Sequence, residues 1–525
     1  MLRIHNIKIK VEEDSTPKLL EKVAKTLNLN KDSIEKLTIH KKSLDARNKS
    51  EIFYIYEVDI KVPNEEKLLK KYASSNIYKT PIEEYSFPKE KANIESPIIV
   101  GSGPAGLFAA YILAEHGYKP IIIEQGEKVE DRLKSIEHFF ETGKLNPNSN
   151  VQFGEGGAGT FSDGKLNTLV KDKEFRGKKV FEIFVENGAP TEIMYLKNPH
   201  IGTDLLRDVI INMRNKMLSL GVTIRYNTKL TNLIIKDNTL EAIEVNNSEI
   251  IPCKNLLLAI GHSARDTFYM LNKNNVSMTS KAFAIGLRIE HPQDMINISQ
   301  YGEKYAKMLP PASYKLTYQT KDNRGVYSFC MCPGGYVVNA SSEEGHLAIN
   351  GMSNHARDSK NANSALVVTI TKDDFGNNPL SGIEFQRELE KKAYNLENGK
   401  IPTQLLKDFY ANKKSTFLGN VEVITKGSYA LSNLNDILPP YVSSSIKEAI
   451  PNFATKIKGY DREDAILLGI ESRTSSPVRI IRDASGMSNI KGLYPVGEGA
   501  GYAGGITTAA MDGLKIAEHL INNNS

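Results

Sequence analysis

A glycine-punctuated turn between two apolar stretches constrains this 525-residue chain more than any other feature. Residues 97–100 (PIIV) form a continuous apolar run, and Gly101, Gly103 and Gly106 follow directly. The next stretch, LFAAYILAEHG, has the composition of a buried helix, and YKPIIIE returns to an apolar run. Strand, tight turn, helix and second strand make a βαβ unit with parallel strands. The sequence therefore predicts an α/β fold.

The same turn has the pattern of a dinucleotide site. The first glycine permits the tight turn, the second lets the backbone approach a pyrophosphate, and the third lets helix and strand pack closely. The helix N-terminus offers free N–H groups to the anion. Glu124 lies 18 residues beyond Gly106, where an acid accepts hydrogen bonds from an adenosine ribose. The predicted contacts are Gly101, Ser102, Gly103, Pro104, Ala105, Gly106, Glu124 and Gln125.

A second glycine-rich turn near the C-terminus favours FAD over NAD. It reads GEGAGYAGGITT over residues 497–508 and opens a helical pattern. FAD domains hold the ribitol and the flavin at such a place. Glu498 is expected to accept from a ribityl hydroxyl, and the N–H groups of Gly505 and Ile506 to face the flavin; Gly497 completes the predicted contacts. The alternative is a loop whose glycines serve its conformation alone.

Composition excludes several classes of protein. A net charge of +5, from 67 basic and 62 acidic residues, is too small for this length to indicate binding to nucleic acid or anionic lipid. Three cysteines do not make a disulfide scaffold and suit a reducing compartment. The start MLRIHNIKIKVEED lacks the apolar core of a secretory signal, and no apolar run approaches a membrane span. We therefore expect a cytoplasmic protein with no membrane partner.

Beyond these two motifs, the whole chain resembles a bacterial family of FAD-dependent dehydrogenases of unassigned reaction, within the glutathione-reductase-like FAD superfamily. The segments that carry this resemblance run from the first domain to the last: KKSLDAR (41–47), GEGGAGTFSDGKLNT (154–168), AIGHSARDT (259–267), FCMCPGG (329–335), NGMSNHARD (350–358), ANSALVV (362–368) and ESRTSSPVRI (471–480). The resemblance implies bound FAD and no known substrate. It also implies that Arg132 lies by the cofactor, that the Leu230 backbone contacts adenine, and that Gly261 approaches FAD.

A second GxGxxG pattern, at residues 154–159, is not predicted to be a separate NAD site. NPNSNVQF before it is no buried strand, and TFSDGK after it is no amphipathic helix. We interpret it as a loop against the flavin, with Gly159 and Thr160 among the contacts and Gln152, Ser162, Asp163 and Lys165 as polar candidates. A purely connecting loop is the alternative. If NAD(P)H is the electron donor, it would then bind transiently or on an unfamiliar surface.

Three residues are candidates for catalysis. Cys330 and Cys332 are separated by one residue, which suits a strained redox pair or one nucleophilic thiolate, with packing in the core or metal binding as alternatives. His262 follows the strand LLLAIG, at the strand end where ligands meet an α/β sheet. The arginines of SNHARD and ESRTSSPVR, Arg357, Arg473 and Arg479, are candidates for an anionic substrate or for structural ion pairs. No metal site is predicted.

These observations predict three parts: a small N-terminal α+β domain (1–90), a discontinuous Rossmann-like FAD-binding domain (96–265 and 465–525), and an inserted substrate or cap domain (266–464). The predicted function is two-electron or hydride transfer through flavin N5 between unidentified small-molecule partners. A flavin-dependent RNA-modifying enzyme and a non-catalytic FAD-binding scaffold are the alternatives. The sequence indicates no oligomeric state.

Overall fold

The computed structural model describes residues 1–89, 94–168 and 170–525, so the predicted domain boundary at residue 90 lies outside the described residues. Its strands, in chain order, are β1 (Leu2–Lys10), β2 (Lys36–Asp45), β3 (Phe53–Lys61), β4 (Ile77–Lys79), β5 (Ile98–Val100), β6 (Ile121–Ile123), β7 (Thr223–Arg225), β8 (Leu230–Lys236), β9 (Thr239–Val245), β10 (Glu249–Pro252), β11 (Leu256–Leu258), β12 (Met278–Ser280), β13 (Phe283–Pro292), β14 (Thr317–Gln319), β15 (Gly325–Cys332), β16 (Tyr336–Asn339), β17 (Ile349–Met352), β18 (Asn361–Ile370), β19 (Ile401–Leu405), β20 (Thr425–Lys426), β21 (Tyr429–Leu431), β22 (Ile466–Glu471), β23 (Val478–Ile480) and β24 (Leu493–Pro495).

The helices lie between these strands and at the C-terminal end. They are α1 (Thr16–Leu27), α2 (Glu65–Tyr72), α3 (Pro104–Glu115), α4 (Val129–Thr142), α5 (Arg176–Glu186), α6 (Thr203–Ser219), α7 (Arg265–Lys273), α8 (Gln293–Tyr301), α9 (Lys372–Phe375), α10 (Ser381–Leu396), α11 (Leu406–Tyr410), α12 (Pro440–Lys456) and α13 (Ile506–Asn523). In the described part of the chain, none of them is both long and apolar enough to cross a membrane.

A parallel five-stranded sheet in the order β24-β11-β5-β6-β7 confirms the predicted Rossmann-like α/β fold. Its central strands read IIV, III and LLL and are almost entirely buried, as expected for a parallel sheet covered on both faces. Helix α3 begins at Pro104, a residue suited to the first turn, and packs against α13 in a shared core. Strand β24 therefore returns the C-terminal glycine turn to the sheet that carries the N-terminal one.

Residues between β11 and β24 in the chain form a seven-stranded sheet in the order β14-β15-β18-β13-β22-β19-β21. Adjacent strands of this sheet are antiparallel, except that β19 and β21 are parallel. Helix α12 packs against the sheet in a second apolar core. Strand β22 starts after residue 465 yet pairs with β13 and β19. The division into three parts remains a prediction, which this pairing modifies by grouping β22 with the central segment.

The N-terminal residues form their own four-stranded antiparallel sheet, β2-β3-β1-β4, with α1 against it. The segment KKSLDAR lies on the edge strand β2. There Lys42 donates its backbone N–H to the Tyr195 carbonyl at 2.7 Å, and Lys197 donates back to Lys42 at 2.9 Å. Lys49 and the pair Glu12–Lys304 add contacts near α8. This edge therefore docks the small sheet on the rest of the chain.

Candidate functional site

The turn between β5 and α3 has the geometry that its glycines predict. Gly101 adopts φ +99°, and a Cβ there would lie 2.3 Å from the carbonyl oxygen of Ala259. A Cβ on Gly106 would lie 1.9 Å from the Gly101 carbonyl oxygen. At Gly103 the closest atom to such a Cβ is the Gly157 Cα, 3.8 Å away. The fold thus needs glycine at 101 and 106, whereas glycine at 103 keeps space open for a ligand.

Glu124 ties this turn to the glycine-rich loop. Its Oε2 accepts from the Ser102 N–H at 2.9 Å and the Ser102 hydroxyl at 2.7 Å, and its Oε1 accepts from the N–H groups of Gly126 at 2.9 Å and Gly154 at 3.1 Å. A carboxylate has about four acceptor positions, and here the protein fills them. A ribose hydroxyl would have to take the place of the Ser102 hydroxyl. Gln125 beside it is half-buried.

Arg132 organises the loop that follows. The side chain is fully buried, and its guanidinium lies 4.7 Å from the centre of the Phe161 ring. It donates five hydrogen bonds to the carbonyl oxygens of Asn150, Val151, Gly154, Glu155 and Gly157. Burial lowers the pKa of the guanidinium to about 10, so it stays charged at neutral pH. Arg132 therefore positions the loop through these carbonyls, and its predicted contact with a cofactor stays a prediction.

The glycine-rich loop lies against both glycine turns. A Cβ on Gly157 would lie 2.9 Å from the Gly103 Cα, and one on Gly159 would lie 2.9 Å from Cγ1 of Ile506, at the start of α13. The segment forms bends and a short 3-10 turn, with neither the strand nor the helix of a second dinucleotide fingerprint. Among the described residues the buried Thr160 hydroxyl has no hydrogen-bond partner. Buried hydroxyls are normally paired, so a ligand is a suitable partner for it.

Three glycines after β11 and in the C-terminal turn border open space, and Gly504 and Gly505 are exposed. A Cβ built on Gly261, Gly504 or Gly505 has no neighbour within 4 Å. A Cβ on Gly499, in contrast, would lie 2.4 Å from the Gly261 carbonyl oxygen, so the strand end after β11 and the C-terminal turn touch. Helix α13 begins at Ile506 and directs its N-terminus towards this region. The glycine-lined space and the two helix N-termini fit a dinucleotide with an extended aromatic group.

His262 and Glu498 meet at the edge of the same space. The Nδ1 atom of His262 lies 3.1 Å from Oε1 of Glu498, and the two side chains are 12% and 28% exposed. The neighbouring Ser263 donates to Oε1 of Gln152, whose amide donates to the Ala340 carbonyl. The predicted flavin-side acid and the predicted catalytic histidine are therefore brought together. Both remain accessible in part.

Leu230 occupies the first position of β8 and is buried. Its backbone pairs with Val245 in the three-stranded antiparallel sheet β10-β9-β8, and its side chain packs in the core beside the parallel sheet. The nearby Thr228 N–H donates to the Glu124 carbonyl at 2.9 Å. The chain thus passes close to the end of β6 before Leu230, and its predicted backbone contact with adenine remains a prediction.

Cys330 and Cys332 lie at the end of β15 beside two cations. Lys165, from the glycine-rich loop, donates to the Met331 carbonyl, and Arg288, from β13, donates to the Cys330 carbonyl at 3.2 Å. Cys332 is fully buried and Cys330 is partly exposed. The association of Lys165 with the two thiols was missed from the sequence, because 166 residues separate Lys165 from Met331 and no local pattern links them.

The other arginine candidates are paired within the protein. Arg473 donates to both carboxylate oxygens of Glu390, which also binds Arg265 in a fully buried cluster. Arg357 donates to Asp163 at 2.9 Å, and Arg479 donates to the Gly501 carbonyl at 3.1 Å. Arg473 and Arg357 therefore form structural ion pairs, and this favours the ion-pair interpretation over binding of an anionic substrate, because carboxylates already accept from their guanidinium groups. Within residues 1–89, 94–168 and 170–525 no group of three or more His, Cys, Asp or Glu side chains could hold a metal ion.

Comparison with known proteins gives matches to three family models. Residues 282–474 match a model described as the C-terminal domain-like region of FAD-dependent proteins, and residues 99–154 match an NAD(P)-binding Rossmann-like domain. Residues 1–61 match a domain of unknown function. An uncharacterized protein of Clostridium beijerinckii is 51% identical over 528 residues, which cover 99% of this chain and 98% of that protein.

Solved structures resemble the chain more distantly. A triple mutant of the flavin-dependent brominase Bmp2 is 12% identical, with a TM-score of 0.37 over 82% of this chain and 81% of that one. CtdE in complex with FAD is 14% identical, with a TM-score of 0.33 over 83% and 86%. L-proline dehydrogenase from P. horikoshii is 12% identical, with a TM-score of 0.33 over 82% and 94%. Likeness at this level does not indicate a substrate.

Proposed function

This chain belongs to a family of FAD-dependent oxidoreductases, and from that premise we propose how it holds the cofactor and takes part in electron transfer. The observation that carries the proposal is the loop that contacts both Gly103 and Ile506, together with the open space beside Gly261, Gly504 and Gly505. When bound, FAD supplies two-electron transfer, as hydride, at its N5 atom. The finer assignment, to a dehydrogenase of the glutathione-reductase-like superfamily, is part of the proposal.

The pyrophosphate would bind at the N-terminus of α3. Gly103 leaves the approach open, and the first N–H groups of the helix have no partner within it. Glu124 and Gln125 would bind the ribose side. The remaining proposed contacts are Gly101, Ser102, Pro104, Ala105, Gly106, Gly159, Thr160, Leu230, Gly261, Gly497, Glu498, Gly505 and Ile506.

The residues around the open space would position and tune the flavin. The N-terminus of α13 carries partial positive charge and would stabilise negative charge beside Gly505 and Ile506. Glu498 engages Nδ1 of His262, which leaves Nε2 as the ring atom available to exchange a proton with a bound reactant. The loop organised by Arg132 would exclude water from one side of the site.

We assign no substrate. A reduced pyridine nucleotide is a suitable donor, and it would bind transiently, because the loop at 154–159 lacks the strand and helix of a second fingerprint. The acceptor would be a small molecule. Three free thiols suit the cytoplasm, the location that we propose. A net charge of +5 over 525 residues gives no support to a nucleic-acid substrate.

Anaerobic reduction of the purified, FAD-loaded protein tests the proposal. The visible flavin absorption should bleach on addition of NADH or NADPH, and dithionite on a parallel sample gives the fully reduced reference. Bleaching by dithionite alone would redirect the search to an organic electron donor. A flavin that resists dithionite and every organic donor at equilibrium would contradict an oxidoreductase and favour a scaffold that binds FAD without turnover.

A further inference from the structure

The strand that carries Cys330 is interrupted by a β-bulge. The pairing of β15 with β18 shifts between Phe329 and Cys332, and Cys330 adopts φ +45°. A left-handed conformation is unusual for a residue with a Cβ, and such residues occur mostly where the surroundings hold them. β-Bulges re-aim side chains and are common next to active sites. The backbone at Cys330 therefore departs from regular strand geometry in a way that pairing within the sheet does not require.

Two cations fix this bulge from different parts of the chain. Lys165 reaches the Met331 carbonyl from the glycine-rich loop, while its ammonium also pairs with Asp163 at 2.9 Å. Arg288 reaches the Cys330 carbonyl from β13, which β18 separates from β15 in the same sheet. Cations beside a thiol favour its deprotonated form, which is the nucleophile. Both cations contact backbone carbonyls at Cys330 and Met331, and Cys330 is the less buried of the two cysteines.

The charges that face the thiols leave a positive excess. Arg288 pairs with Glu471 at 3.0 Å, and Asp163 pairs with both Lys165 and Arg357. Counted together, three cations face two carboxylates, and one thiolate balances the set. The groups concerned are Lys165, Arg288, Arg357, Asp163 and Glu471, with the buried Tyr314 hydroxyl as a weakly acidic neighbour.

The two thiols differ in their ionisation. The nearby Cys332 thiol, with Lys165 and Arg288, lowers the pKa of the Cys330 thiol despite burial. The Cys332 thiol itself donates to the Cys330 carbonyl at 3.3 Å. Its own pKa is raised by the neighbouring Cys330 thiol and by burial. Negative charge therefore collects on Cys330, the less buried of the two cysteines. Cys332 keeps its proton and lies in the chain only two residues away.

We propose that Cys330 and Cys332 form a thiol-modification site for small-molecule disulfides, with Cys330 as the attacking thiolate and Cys332 as the resolving thiol. The Cys330 sulfur attacks one sulfur of the reactant, the S–S bond of the reactant breaks, and one thiolate leaves. The Cys332 sulfur then attacks the Cys330 sulfur, and the Cys332 proton leaves with the second thiol. Two cysteines are oxidised to one disulfide, and the reactant is reduced to two thiols.

Lys165 is a positioning residue in this proposal. It lies in the loop that rests on Gly103, so closing the disulfide removes the negative charge that its ammonium faces. Oxidation of the cysteines would thereby weaken a contact of the loop that covers the dinucleotide turn. The site thus goes beyond the FAD assignment, and its chemistry needs no flavin.

Alkylation of the reduced, full-length protein tests the reactivity of Cys330. Iodoacetamide is applied across a pH series, and each cysteine is quantified by peptide mass spectrometry. Cys253 is an internal control, because burial raises the pKa of its thiol to about 12. At pH 7 Cys330 should react at least about tenfold faster than either other cysteine. Its alkylation rate should have reached its plateau by that pH and should rise little at higher pH. Lys165→Met should move the midpoint of this pH profile upward, and Lys165→Arg should restore most of the shift.

Treatment with bis(2-hydroxyethyl) disulfide tests the resolving step. The wild-type peptide should lose the mass of two hydrogens, whereas Cys332→Ser should accumulate the adduct on Cys330. A Cys330 that reacts only in the range of an ordinary thiol, with a pKa of about 8.5, or a peptide that never closes the disulfide, would overturn the proposal. Mass readouts do not depend on bound FAD. A negative result here would therefore leave the FAD assignment unaffected, and failure of the protein to bind FAD would leave the thiol proposal unaffected.

Discussion

His262 Nδ1 lies 3.1 Å from Glu498 Oε1 across 236 residues of sequence. The histidine follows the strand end at Gly261, and the glutamate belongs to the C-terminal glycine turn. This contact joins two segments that each border open space, one at Gly261 and the other at Gly505. The N- and C-terminal parts of the proposed FAD site are thus connected directly by side chains.

Because the two side chains act together, their replacement should be non-additive. His262→Asn and Glu498→Gln should each raise the Kd for FAD roughly fivefold, the effect of losing one hydrogen bond of about 1 kcal/mol. The double variant should bind about as weakly as either single variant. Fluorescence titration of the apoprotein measures all four affinities. Fully additive losses would mean that the two residues contact FAD independently.

Valine at position 103 should separate cofactor binding from folding. A Cβ there has only the Gly157 Cα at 3.8 Å, so Gly103→Val should yield folded protein whose visible absorption shows little or no flavin. Gly101→Val is the matched comparison: its Cβ would lie 2.3 Å from the Ala259 carbonyl, so the protein should be destabilised as well. Circular dichroism and flavin absorption distinguish the two. Stoichiometric FAD in Gly103→Val would refute the assignment of the pyrophosphate turn.

Position 505 provides a second test, at the flavin end. Gly505 has an extended backbone, with φ 170°, and a Cβ there meets nothing within 4 Å. Gly505→Val should therefore leave the thermal unfolding temperature of the apoprotein unchanged and lower its FAD affinity about tenfold or more, because the added side chain enters the space proposed for the flavin. Calorimetry of the apoprotein gives the first result and FAD titration the second. Unchanged affinity would place the flavin elsewhere.

The buried cluster around Glu390 should make stability depend on pH. Burial by itself would raise the pKa of this carboxyl, but Arg265 and Arg473 hold it well below its usual range. A pKa that is lower in the folded state stabilises the fold above the unfolded value of about 4.3, and that stabilisation is lost as the pH falls further. Glu390→Gln should cost about 3–5 kcal/mol at pH 7, because it leaves two buried guanidinium groups with the partly exposed Glu343 in place of the buried carboxylate.

Urea unfolding of both proteins at pH 7 and near pH 3 checks this dependence. The difference between wild type and Glu390→Gln should shrink towards the acid side. Glu388→Gln, an exposed position on the same helix α10, is the control and should change stability little. A difference between wild type and Glu390→Gln that is the same at both pH values would contradict the ion-pair explanation.

Local patterns were sufficient to predict the cofactor-binding fold. The runs IIV, III and LLL are buried central strands, and the glycine spacing at 101–106 matches the turn that the structure contains. These features depend on residues that are neighbours in sequence, so periodicity and glycine spacing reveal them. The same holds for the loop at 154–159, whose flanking residues carry neither strand nor helix pattern.

The central sheet was not predicted, because its strands bury charge. Strand β13 reads FAIGLRIEHP, and Arg288 and Glu290 are fully buried within it. Polar residues in a buried strand obscure the apolar pattern that identifies it. The partners that make this burial possible, such as Glu471 for Arg288, lie far away in the chain. The positioning role of Arg132 was also missed, since its acceptors are backbone carbonyls that no sequence pattern marks.

The stoichiometry of FAD binding to the purified wild-type chain tests the central claim most directly. The protein is freed of bound flavin, titrated with FAD and separated from free ligand, and the visible spectrum of the protein fraction is recorded beside that of Gly103→Val. We expect one FAD per wild-type chain, with the absorption bands of oxidised flavin, and almost none on the variant. A wild-type chain that retains no flavin, or equal retention by both proteins, would contradict the account.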